Sequence, residues 1–345
     1  MKLLVAGGAG FIGSNFIRHM LASRPDVSMM NFDKLTYAGN LENLADASAD
    51  PRYSFMQGDI CNADMVDLVF ADFKPDALIN FAAETHVDRS IHVGSREFVM
   101  TNTVGVQTLL DAVRRHGTKK MIQISTDEVY GSLGLDDTRK FVETTAFEPN
   151  VPYAAAKAGG DLMCRAYFKT FDVPVIVTHC SNNYGPFQFP EKLIPVLITN
   201  AMEDRSLPIY GDGLNVREWI FADEHSRAVL TALDRGMPGE VYNVGSGHEK
   251  TNLEVVREIL RLMGKPESLI TFVKDRPAHD RRYAIDYSKI RREWNWSPET
   301  DFASGLKATI DWYRAHQDWV REIKDASYLS YYDRVYTLRD QTFAD

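Results

Sequence analysis

The amino-acid sequence predicts an α/β fold: a doubly wound parallel sheet with a smaller α/β C-terminal substrate-binding domain. Short apolar runs of strand length alternate with segments of helical periodicity, the pattern of a parallel sheet covered by helices on both faces. A glycine-rich turn joins the first strand to the first helix, and polar side chains follow the ends of later strands. Because ligands of such sheets bind at the carboxyl ends of the strands, we expect the functional residues there.

The first strand and the first helix are joined by a turn typical of dinucleotide-binding proteins. Residues 3–6 predict a short buried strand, and residues 11–21 have helical periodicity. Gly7 permits the tight turn, Gly10 lets a pyrophosphate approach the backbone at the helix N-terminus, and Gly13 allows close packing of the helix. The spacing G-x-x-G-x-x-G in this context predicts a Rossmann-type nucleotide site.

An acidic residue about 20 positions beyond the turn strengthens this prediction, since it could hydrogen-bond a ribose diol. Asp33 ends the strand predicted over residues 28–32. Because a carboxylate at this position would repel a 2′-phosphate, NAD is favoured over NADP. A third strand over residues 53–56 is followed by Asp59, which could meet the adenine edge, although a simple turn acid is the alternative interpretation.

The next elements continue the alternation of strands and helices. Residues 77–81 predict a fourth strand that leads into the polar segment 82–90. This segment suits the lining of a cofactor site, although charged runs usually form solvated faces. Residues 99–115 predict a helix with one apolar face, and residues 173–178 predict a further strand.

Segment 125–131, which reads Ser-Thr-Asp-Glu-Val-Tyr-Gly, follows the buried strand predicted over residues 120–124. A hydroxyl and two acids are thus presented at a strand end, which indicates chemistry. Tyr153 and Lys157 stand four apart in an alanine-rich helical segment and share one face. Because an ammonium favours a phenolate, we expect Lys157 to lower the pKa of Tyr153 from about 10 toward neutrality, so that Tyr153 acts as a base. The spacing alone is weak evidence.

Composition excludes several classes of partner. The net charge of −9 argues against nucleic acid, because neutralising phosphates requires a basic face. Cys61, Cys164 and Cys180 lack metal-like spacing, so no metal site is expected, and their odd number suits a reducing compartment, with the cytoplasm as the default. No apolar run approaches ~18 residues, so a membrane span is not expected.

The second half of the chain is more irregular and richer in proline and aromatic residues. We predict an NAD-binding domain over residues 1–180 and a substrate-binding domain over residues 181–345, with segments near 216–246 returning to the first. Basic side chains concentrate in this half and would suit a diphosphate, although each alone could form a surface ion pair. They are Lys192, Arg217, Arg276, Arg281 and Arg282. Asp301 is expected to cap a late helix.

Taken together, these motifs resemble a known family. Gly7-x-x-Gly10-x-x-Gly13 and Tyr153-x-x-x-Lys157 are similar to motifs of the extended short-chain dehydrogenase/reductase superfamily, and within it the chain resembles the dTDP-glucose 4,6-dehydratases. The stretches that carry this closer resemblance are residues 33–40, 82–90, 125–131, 181–186 continuing to 189–195, 276–282, and the tyrosine-rich tail 327–339.

The resemblance implies a redox-neutral dehydration. Tyr153 would take the proton of the sugar's 4-hydroxyl while a hydride leaves carbon 4 for NAD. The 4-ketone acidifies the proton on carbon 5, which Glu128 would remove while Asp127 protonates the departing 6-hydroxyl, and the hydride returns to carbon 6. Thr126 would hydrogen-bond the reacting oxygen, and Lys157 would hold the nicotinamide ribose. The two acids need opposite protonation states, which their environments can impose.

The same resemblance implies two sets of binding residues. The residues expected at NAD are the glycines of the turn and Phe11, Ile12, Asp33, Lys34, Leu35, Thr36, Asp59, Ile60, Phe81, Ala82, Ala83, Glu84, Thr85, Thr101, Tyr153 and Lys157. The residues expected at the nucleotide sugar are Thr85, Thr126, Asn183, Lys192, Leu193, Pro208, Ile209, Tyr210, Arg217, Asn252, Asp275, Arg276 and His279. The chain departs from the family pattern at Thr85 for serine, Ala278 for glycine, and His179 for arginine or asparagine.

Two alternatives remain open at the level of sequence. An NAD-dependent nucleotide-sugar 4-epimerase would use the same Tyr153 and Lys157, but it has no need of Asp127 and Glu128. A non-catalytic NAD-binding regulator would have no need of Thr126, Tyr153 and Lys157 together. The resemblance further implies a homodimer through helices near 99–115 and 153–171, whose apolar residues could equally face the chain's own sheet. No residue excludes a uridine in place of a thymidine nucleotide.

Overall fold

The computed structural model describes residues 1–92 and 94–324, so the predicted tyrosine-rich tail and the last part of the second predicted domain lie outside the described residues. The β-strands are Lys2–Ala6 (β1), Ser28–Asp33 (β2), Tyr53–Gln57 (β3), Ala77–Asn80 (β4), Lys120–Thr126 (β5), Val175–Cys180 (β6), Asn182–Tyr184 (β7), Leu207–Tyr210 (β8), Val216–Phe221 (β9), Val241–Val244 (β10), Glu249–Thr251 (β11) and Ile270–Val273 (β12).

The α-helices are Phe11–Ser23 (α1), Ala63–Phe73 (α2), Val87–His92 (α3), Arg96–Val99 (α4), Val106–His116 (α5), Pro152–Phe171 (α6), Leu193–Met202 (α7), Ala222–Arg235 (α8), Asn252–Met263 (α9), Ser288–Trp294 (α10), Phe302–Ala315 (α11) and Gln317–Ile323 (α12). Short 3-10 helices cover Leu41–Leu44, Ala47–Ala49, Asp127–Tyr130 and Glu267–Leu269, and a π-helical segment covers Met100–Gly105. No helix within the described ranges has both the length and the apolar character needed to cross a membrane.

The fold prediction of a doubly wound parallel sheet is confirmed. The main sheet has the strand order β10-β6-β5-β4-β1-β2-β3, and every neighbouring pair in it is parallel. The order reverses beside β1 and β4, and ligands of such sheets bind at this kind of reversal. The carboxyl ends of β1, β2, β4, β5 and β6 therefore face one common edge.

Apolar side chains cover both faces of the main sheet, as its continuous hydrophobic strands require. One cluster packs α1 and α8 against one face through Phe16, Ile17 and Val229. The other packs α2, α5 and α6 against the opposite face through Phe70, Leu110 and Cys164. The sheet is thus a rigid platform whose strand ends hold the polar residues in place.

A third cluster lies in the second half of the chain. It joins α7, α9 and α11 to β8 and β9. β9 pairs with β7 and β11 in a three-stranded sheet, and β8 pairs with β12. β10 returns to the main sheet while β9 does not, so the segments near 216–246 divide between the two sheets. The division of the chain into two domains stays a prediction.

The sequence-based elements agree with the structure except in the helix expected over residues 99–115. That stretch is helical, but it begins as a π-helix and continues as α5. Within the π-helical segment the Asn102 amide accepts a hydrogen bond from the Glu84 N–H at 2.9 Å and donates one to the Glu84 carbonyl at 2.9 Å. π-helical turns are frequent at functional sites, and this one ties the helix to the loop after β4.

Candidate active site

A cavity of about 270 Å³ lies at the carboxyl edge of the main sheet. Its walls come from the loops after β1 to β6, together with α6 and the residues before α7. Predicted site residues that line it are Gly7, Gly10, Phe11, Ile12, Gly13, Asp33, Lys34, Thr36, Asp59, Ile60, Phe81, Ala82, Ala83, Glu84, Thr85, Thr101, Thr126, Asp127, Glu128, Tyr153, Lys157, Asn183 and Lys192. The part formed by residues 7–13, Asp33 and Asp59 is called the glycine end, and the part around Asp127 and Glu128 the acid end.

The N-terminus of α1 forms the floor of the glycine end. Gly10 is its N-cap, no side chain caps the helix, and the first turn holds no acidic residue. A methyl group on Gly10 would meet no protein atom closer than 3.5 Å, whereas one on Gly13 would lie 2.3 Å from the Gly7 carbonyl oxygen. The unpaired N–H groups and the helix dipole therefore face open space that suits a diphosphate.

Asp33 closes the other side of the glycine end. One carboxylate oxygen accepts the N–H of Ala9 at 2.9 Å and the other accepts the N–H of Leu35 at 2.8 Å. Burial raises the pKa of Asp33, and these two backbone donors oppose the rise. Each oxygen has a further lone pair, so the carboxylate can accept from a ribose diol. Leu35, a predicted cofactor residue, does not line the cavity and has a left-handed φ of 57°.

Asp59 and Lys34 form an ion pair of 2.8 Å beside the glycine end. The pKa of Lys34 is raised by its hydrogen bond to Asp59. Because Lys34 is half exposed, this pair contributes little to stability, and its function is to fix the two side chains at the rim. The glycine end thus fits a nucleotide with a diphosphate and a free ribose diol.

Tyr153 and Lys157 lie in the first half of α6 and are both buried. The expected fall in the pKa of Tyr153 is wrong for the chain by itself, because burial raises that pKa well above 10 and the charge of Glu128 raises it further. The Lys157 ammonium does not compensate, since its Nζ donates to the Ile124 carbonyl at 2.6 Å. Burial also lowers the pKa of Lys157.

Thr126 connects the phenol to the acid end. It ends β5 and caps the 3-10 helix that follows, where its hydroxyl accepts the Glu128 N–H at 3.3 Å. The same hydroxyl lies 3.4 Å from Asp127 Oδ1, and its hydrogen bond to Tyr153 lowers the pKa of the phenol. The strand end therefore places Thr126 between the tyrosine and the first acid.

Asp127 and Glu128 are adjacent in sequence but have different surroundings. Burial raises the pKa of Asp127 well above its usual value, and the carboxylates of Glu128 and Glu218 raise it further. Burial also raises the pKa of Glu128, but the positive charges of Arg276, Arg217 and Lys192 oppose the rise. Asp127 Oδ2 and Glu128 Oε2 accept no hydrogen bond from the described residues. The arrangement favours a neutral acid at Asp127 and a carboxylate at Glu128.

The three cations near Glu128 come from distant parts of the chain. Lys192 Nζ donates to the Thr85 carbonyl at 3.0 Å. Arg217 lies over the Tyr283 ring at 4.2 Å and donates to the Asp280 carbonyl at 3.0 Å. Arg276 Nη1 lies 3.4 Å from Asp88 Oδ1. Lys192 lines the cavity, whereas the two arginines lie just behind the acid end.

The other predicted sugar-binding residues lie beyond the lining of the cavity. The Tyr210 hydroxyl donates to Asp88 at 3.0 Å, and its ring packs against His279 with centroids 6.0 Å apart. His279 in turn pairs with Asp275 at 2.5 Å. Ile209 is wholly buried, so only its backbone is available to a ligand. The remaining members of this group are Leu193, at the start of α7, Pro208, in β8, and Asn252, at the start of α9.

Sequence reasoning missed two residues of this region. Glu191 lines the cavity, is buried, and accepts hydrogen bonds from Tyr37 at 2.8 Å and Arg89 at 3.1 Å. Asp88 is buried between Tyr210 and Arg276. Both belong to stretches that carried the family resemblance, and an acid among basic neighbours in such a stretch was the available signal.

Comparison with known proteins adds independent findings. Residues 4–309 match the family model described as GDP-mannose 4,6 dehydratase. The chain is 48% identical over 359 residues to a dTDP-glucose 4,6-dehydratase of Shigella flexneri, with 97% of this chain and 99% of the relative covered.

Solved structures agree with this similarity. A dTDP-glucose 4,6-dehydratase from Streptomyces venezuelae, crystallised with NAD and a dTDP ligand, superposes with a TM-score of 0.90 and is 47% identical, covering 94% of this chain and 100% of that one. A UDP-glucose 4-epimerase from Thermotoga maritima superposes with a TM-score of 0.85 at 26% identity, covering 92% and 100% of the two chains. The fold is common to both enzymes, whereas the sequence is much closer to the dehydratase.

Proposed function

This chain belongs to the dTDP-glucose 4,6-dehydratase family, and we propose that it converts dTDP-glucose to dTDP-4-keto-6-deoxyglucose with NAD as its recycled cofactor. The reaction is a lyase reaction that eliminates water across carbons 5 and 6 of the sugar. The observation that carries the proposal is that Thr126, Asp127 and Glu128 share one cavity with Tyr153, so a base for oxidation and an acid and base for elimination face the same space.

The glycine end fits NAD. The N-terminus of α1 would hold the diphosphate, and Asp33 would accept from the hydroxyls of the adenosine ribose. When bound, NAD would accept a hydride from carbon 4 of the sugar and return it to carbon 6 after elimination. Lys157 would hold the nicotinamide ribose.

Tyr153 would accept the proton of the 4-hydroxyl, with Thr126 hydrogen-bonding the same oxygen. Because burial raises the pKa of Tyr153 in the chain by itself, this function requires positive charge in the loaded cavity. A cationic nicotinamide ring in the same cavity would act in that direction, as Lys157 would if its ammonium left the Ile124 carbonyl. Tyr153 therefore becomes a base only when the cavity is filled.

Glu128 would remove the proton from carbon 5, and Asp127 would protonate the 6-hydroxyl as it leaves. Support comes from the charges around the two groups: cations favour a carboxylate at Glu128, and other carboxylates favour a protonated Asp127. Both lack a hydrogen bond on one carboxyl oxygen within the described residues, so each has an oxygen available for substrate. A general base and a general acid of this kind each contribute about 10²- to 10⁴-fold in rate.

Lys192, Arg217 and Arg276 would bind the diphosphate of the nucleotide sugar, together with His279, Asn183 and the β8 residues. Support comes from the burial of Arg217 and the near burial of Arg276, since a desolvated guanidinium binds phosphate strongly. Arg276 Nε has no hydrogen-bond partner among the described residues, so it has a donor free for a ligand.

We also propose a cytoplasmic homodimer. Support for the compartment comes from Cys61, Cys164 and Cys180, which are all unpaired thiols. Support for the dimer comes from exposed apolar side chains on neighbouring helical segments, Val99 and Leu162, which are 47% and 56% exposed. Light scattering of Leu162→Lys tests the interface, which predicts a monomer for the variant and a dimer for the unchanged chain.

The function is tested by incubating the purified protein, without added cofactor, with dTDP-glucose and with UDP-glucose separately. Mass spectrometry should show loss of one water from the dTDP sugar. Loss from the UDP sugar alone would overturn the nucleotide assignment. An unchanged mass with an inverted carbon 4 would identify an epimerase, and no change of any kind would favour a regulator.

A further inference from the structure

Three polar residues stand side by side on neighbouring strands behind the acid end. In the register of the main sheet His179 of β6 is the partner of Ser125 on β5 and of Asn243 on β10. All three are buried, with His179 and Asn243 at 0% exposure. Paired residues of adjacent parallel strands point to the same face, so their side chains form one polar row inside the protein.

Side chains from two catalytic elements complete this row. Asp161 of α6 lies one helical turn beyond Lys157 and accepts a hydrogen bond from the Ser125 hydroxyl at 2.6 Å. Tyr130 belongs to the 3-10 helix that begins with Asp127 and Glu128, and its hydroxyl lies 2.9 Å from Asn243 Oδ1. His179 stands between the two, with Nδ1 2.6 Å from the Tyr130 hydroxyl and Nε2 3.1 Å from Asp161.

The hydrogen-bond pattern determines where the protons lie. Asn243 donates through Nδ2 to the carbonyls of Phe141 at 3.0 Å and Asp286 at 3.2 Å, so its oxygen faces Tyr130. Tyr130 must donate its single proton to that oxygen, and it can only accept from His179 Nδ1. Asp161 Oδ2 already accepts from Ser125, so His179 Nε2 must donate to it as well. Both ring nitrogens therefore carry a proton.

We propose that His179 is a buried imidazolium that positions the Asp127–Tyr130 turn against α6, and so holds the two acids in register with Tyr153 and Lys157. The proposal rests on the proposed function for its catalytic consequence, but the protonation of His179 stands apart from it. The imidazolium also neutralises Asp161, which would otherwise be a buried carboxylate without a cation directly bonded to it.

The surroundings of the pair are consistent with a cation at this position. The other titratable groups around it are Lys157 on α6, Asp127 on the turn, and Glu143 of the loop before α6, whose carboxylate accepts the Asn243 N–H at 3.0 Å. The ring of Phe147 packs on His179 edge to face with centroids 5.6 Å apart and excludes water on that side. Asp161, Asp127 and Glu143 supply negative charge against the single cation of Lys157.

The protonation of His179 is tested by NMR of the unmodified protein carrying ¹⁵N-labelled histidine. One of the nine imidazoles should show two protonated ring nitrogens at pH 7 and above, and its signals should disappear in His179→Asn. A neutral tautomer for His179 at pH 7 would overturn the proposal. This measurement needs neither substrate nor activity.

The positioning function is tested with two variants that each keep one contact. His179→Asn retains a donor near Nδ1 for Tyr130, and His179→Gln retains a donor near Nε2 for Asp161. Each should lower kcat roughly 10- to 100-fold with KM changed less than about threefold, because the groups that bind substrate are untouched. Tyr130→Phe should lower kcat to the same extent as His179→Gln, and the double variant should be no slower, because both remove one linkage.

The matched control is Tyr184→Phe, which removes another buried tyrosine hydroxyl, bonded to the Phe302 carbonyl at 3.2 Å. It should cost stability like Tyr130→Phe but leave kcat unchanged. Multiplicative losses in the double variant, or equal kcat losses in the control, would overturn the positioning function. If no dehydration occurs in the unchanged protein, the proposed function fails, while the NMR result still decides the state of His179.

Discussion

The glycine end and the acid end of the cavity are built in different ways. The glycine end consists mainly of backbone: the uncapped N-terminus of α1, the turn before it, and Asp33 held by two N–H groups of its neighbourhood. The acid end consists of side chains, and its cations come from residues 192, 217 and 276. One end is local in sequence and the other is assembled over about half of the chain.

This difference separates binding from chemistry. Backbone donors have fixed charge and geometry, so the glycine end can hold a cofactor without any group changing its protonation state. At the acid end the pKa values of Asp127 and Glu128 depend on which charges the tertiary fold brings near them. Substitutions at the acid end should therefore stop the reaction, whereas substitutions at the glycine end should loosen the cofactor.

The largest effect is expected from the two acids. Glu128→Gln and Asp127→Asn keep the shape of the side chain but remove the base or the acid, so dehydration should slow about 10²- to 10⁴-fold. The released product, followed by mass spectrometry at saturating dTDP-glucose, measures this loss. NAD retained by each purified variant should match the unchanged protein, and a parallel loss of NAD would contradict the separation of the two ends.

A smaller effect of the opposite kind is expected from Asp33→Ala. It removes the charged acceptor proposed for the ribose diol, so NAD should bind about 10- to 100-fold more weakly while sugar affinity stays the same. Asp33→Asn serves as a control, since its carbonyl can still accept one of the two N–H groups that Asp33 holds. Calorimetry measures both affinities, and an unchanged NAD content in Asp33→Ala would show that the ribose is bound elsewhere.

The glycine end was predictable because its signals are local. The strand expected at residues 3–6 is β1, Lys2–Ala6, and Asp33 ends β2 as expected. Residue type and spacing sufficed there, since the turn, the helix N-terminus and the acid follow one another within about 30 residues. The π-helical segment was not predictable, because it depends on the pairing of Asn102 with the Glu84 backbone.

At the acid end the residues themselves were predictable, but their properties were not. Without the family resemblance, Arg217 and Arg276 read as ordinary surface ion pairs, and only the fold brings them near Glu128. The expected fall in the pKa of Tyr153 was wrong because spacing on a helix does not determine which way the Lys157 ammonium points. Electrostatics is a property of the tertiary structure, and sequence spacing captures only part of it.

A matched pair of glycines sharpens the description of the glycine end. Gly10→Ala should leave the free energy of unfolding within about 0.5 kcal/mol, because no protein atom lies closer than 3.5 Å to the added methyl, but NAD should bind about tenfold more weakly. Gly13→Ala should destabilise by about 1–3 kcal/mol, since the methyl would meet the Gly7 carbonyl at 2.3 Å. Urea unfolding and NAD titration measure the two effects, and equal destabilisation of both variants would contradict an open space before α1.

The smallest effect is expected at Ala278, where the family pattern has glycine. Its φ of 49° is left-handed, which costs a residue with a Cβ about 1–2 kcal/mol, whereas glycine costs about 0.4–1 kcal/mol of extra chain entropy. Since Ala278 is exposed and no packing is lost, Ala278→Gly should raise the free energy of unfolding by about 0.5–1 kcal/mol.

Ala308→Gly, at an exposed position inside α11, is the matched control and should lower the free energy of unfolding by about 1 kcal/mol. Opposite signs for the two substitutions, measured by urea unfolding, identify backbone strain as the cause, whereas a loss of stability in both would show that the Ala278 methyl makes a favourable contact. Because the backbone already has the conformation that glycine favours, Arg276 and His279 on either side keep their positions. The departure from the family pattern at Ala278 should therefore affect stability more than it affects the binding of the nucleotide sugar.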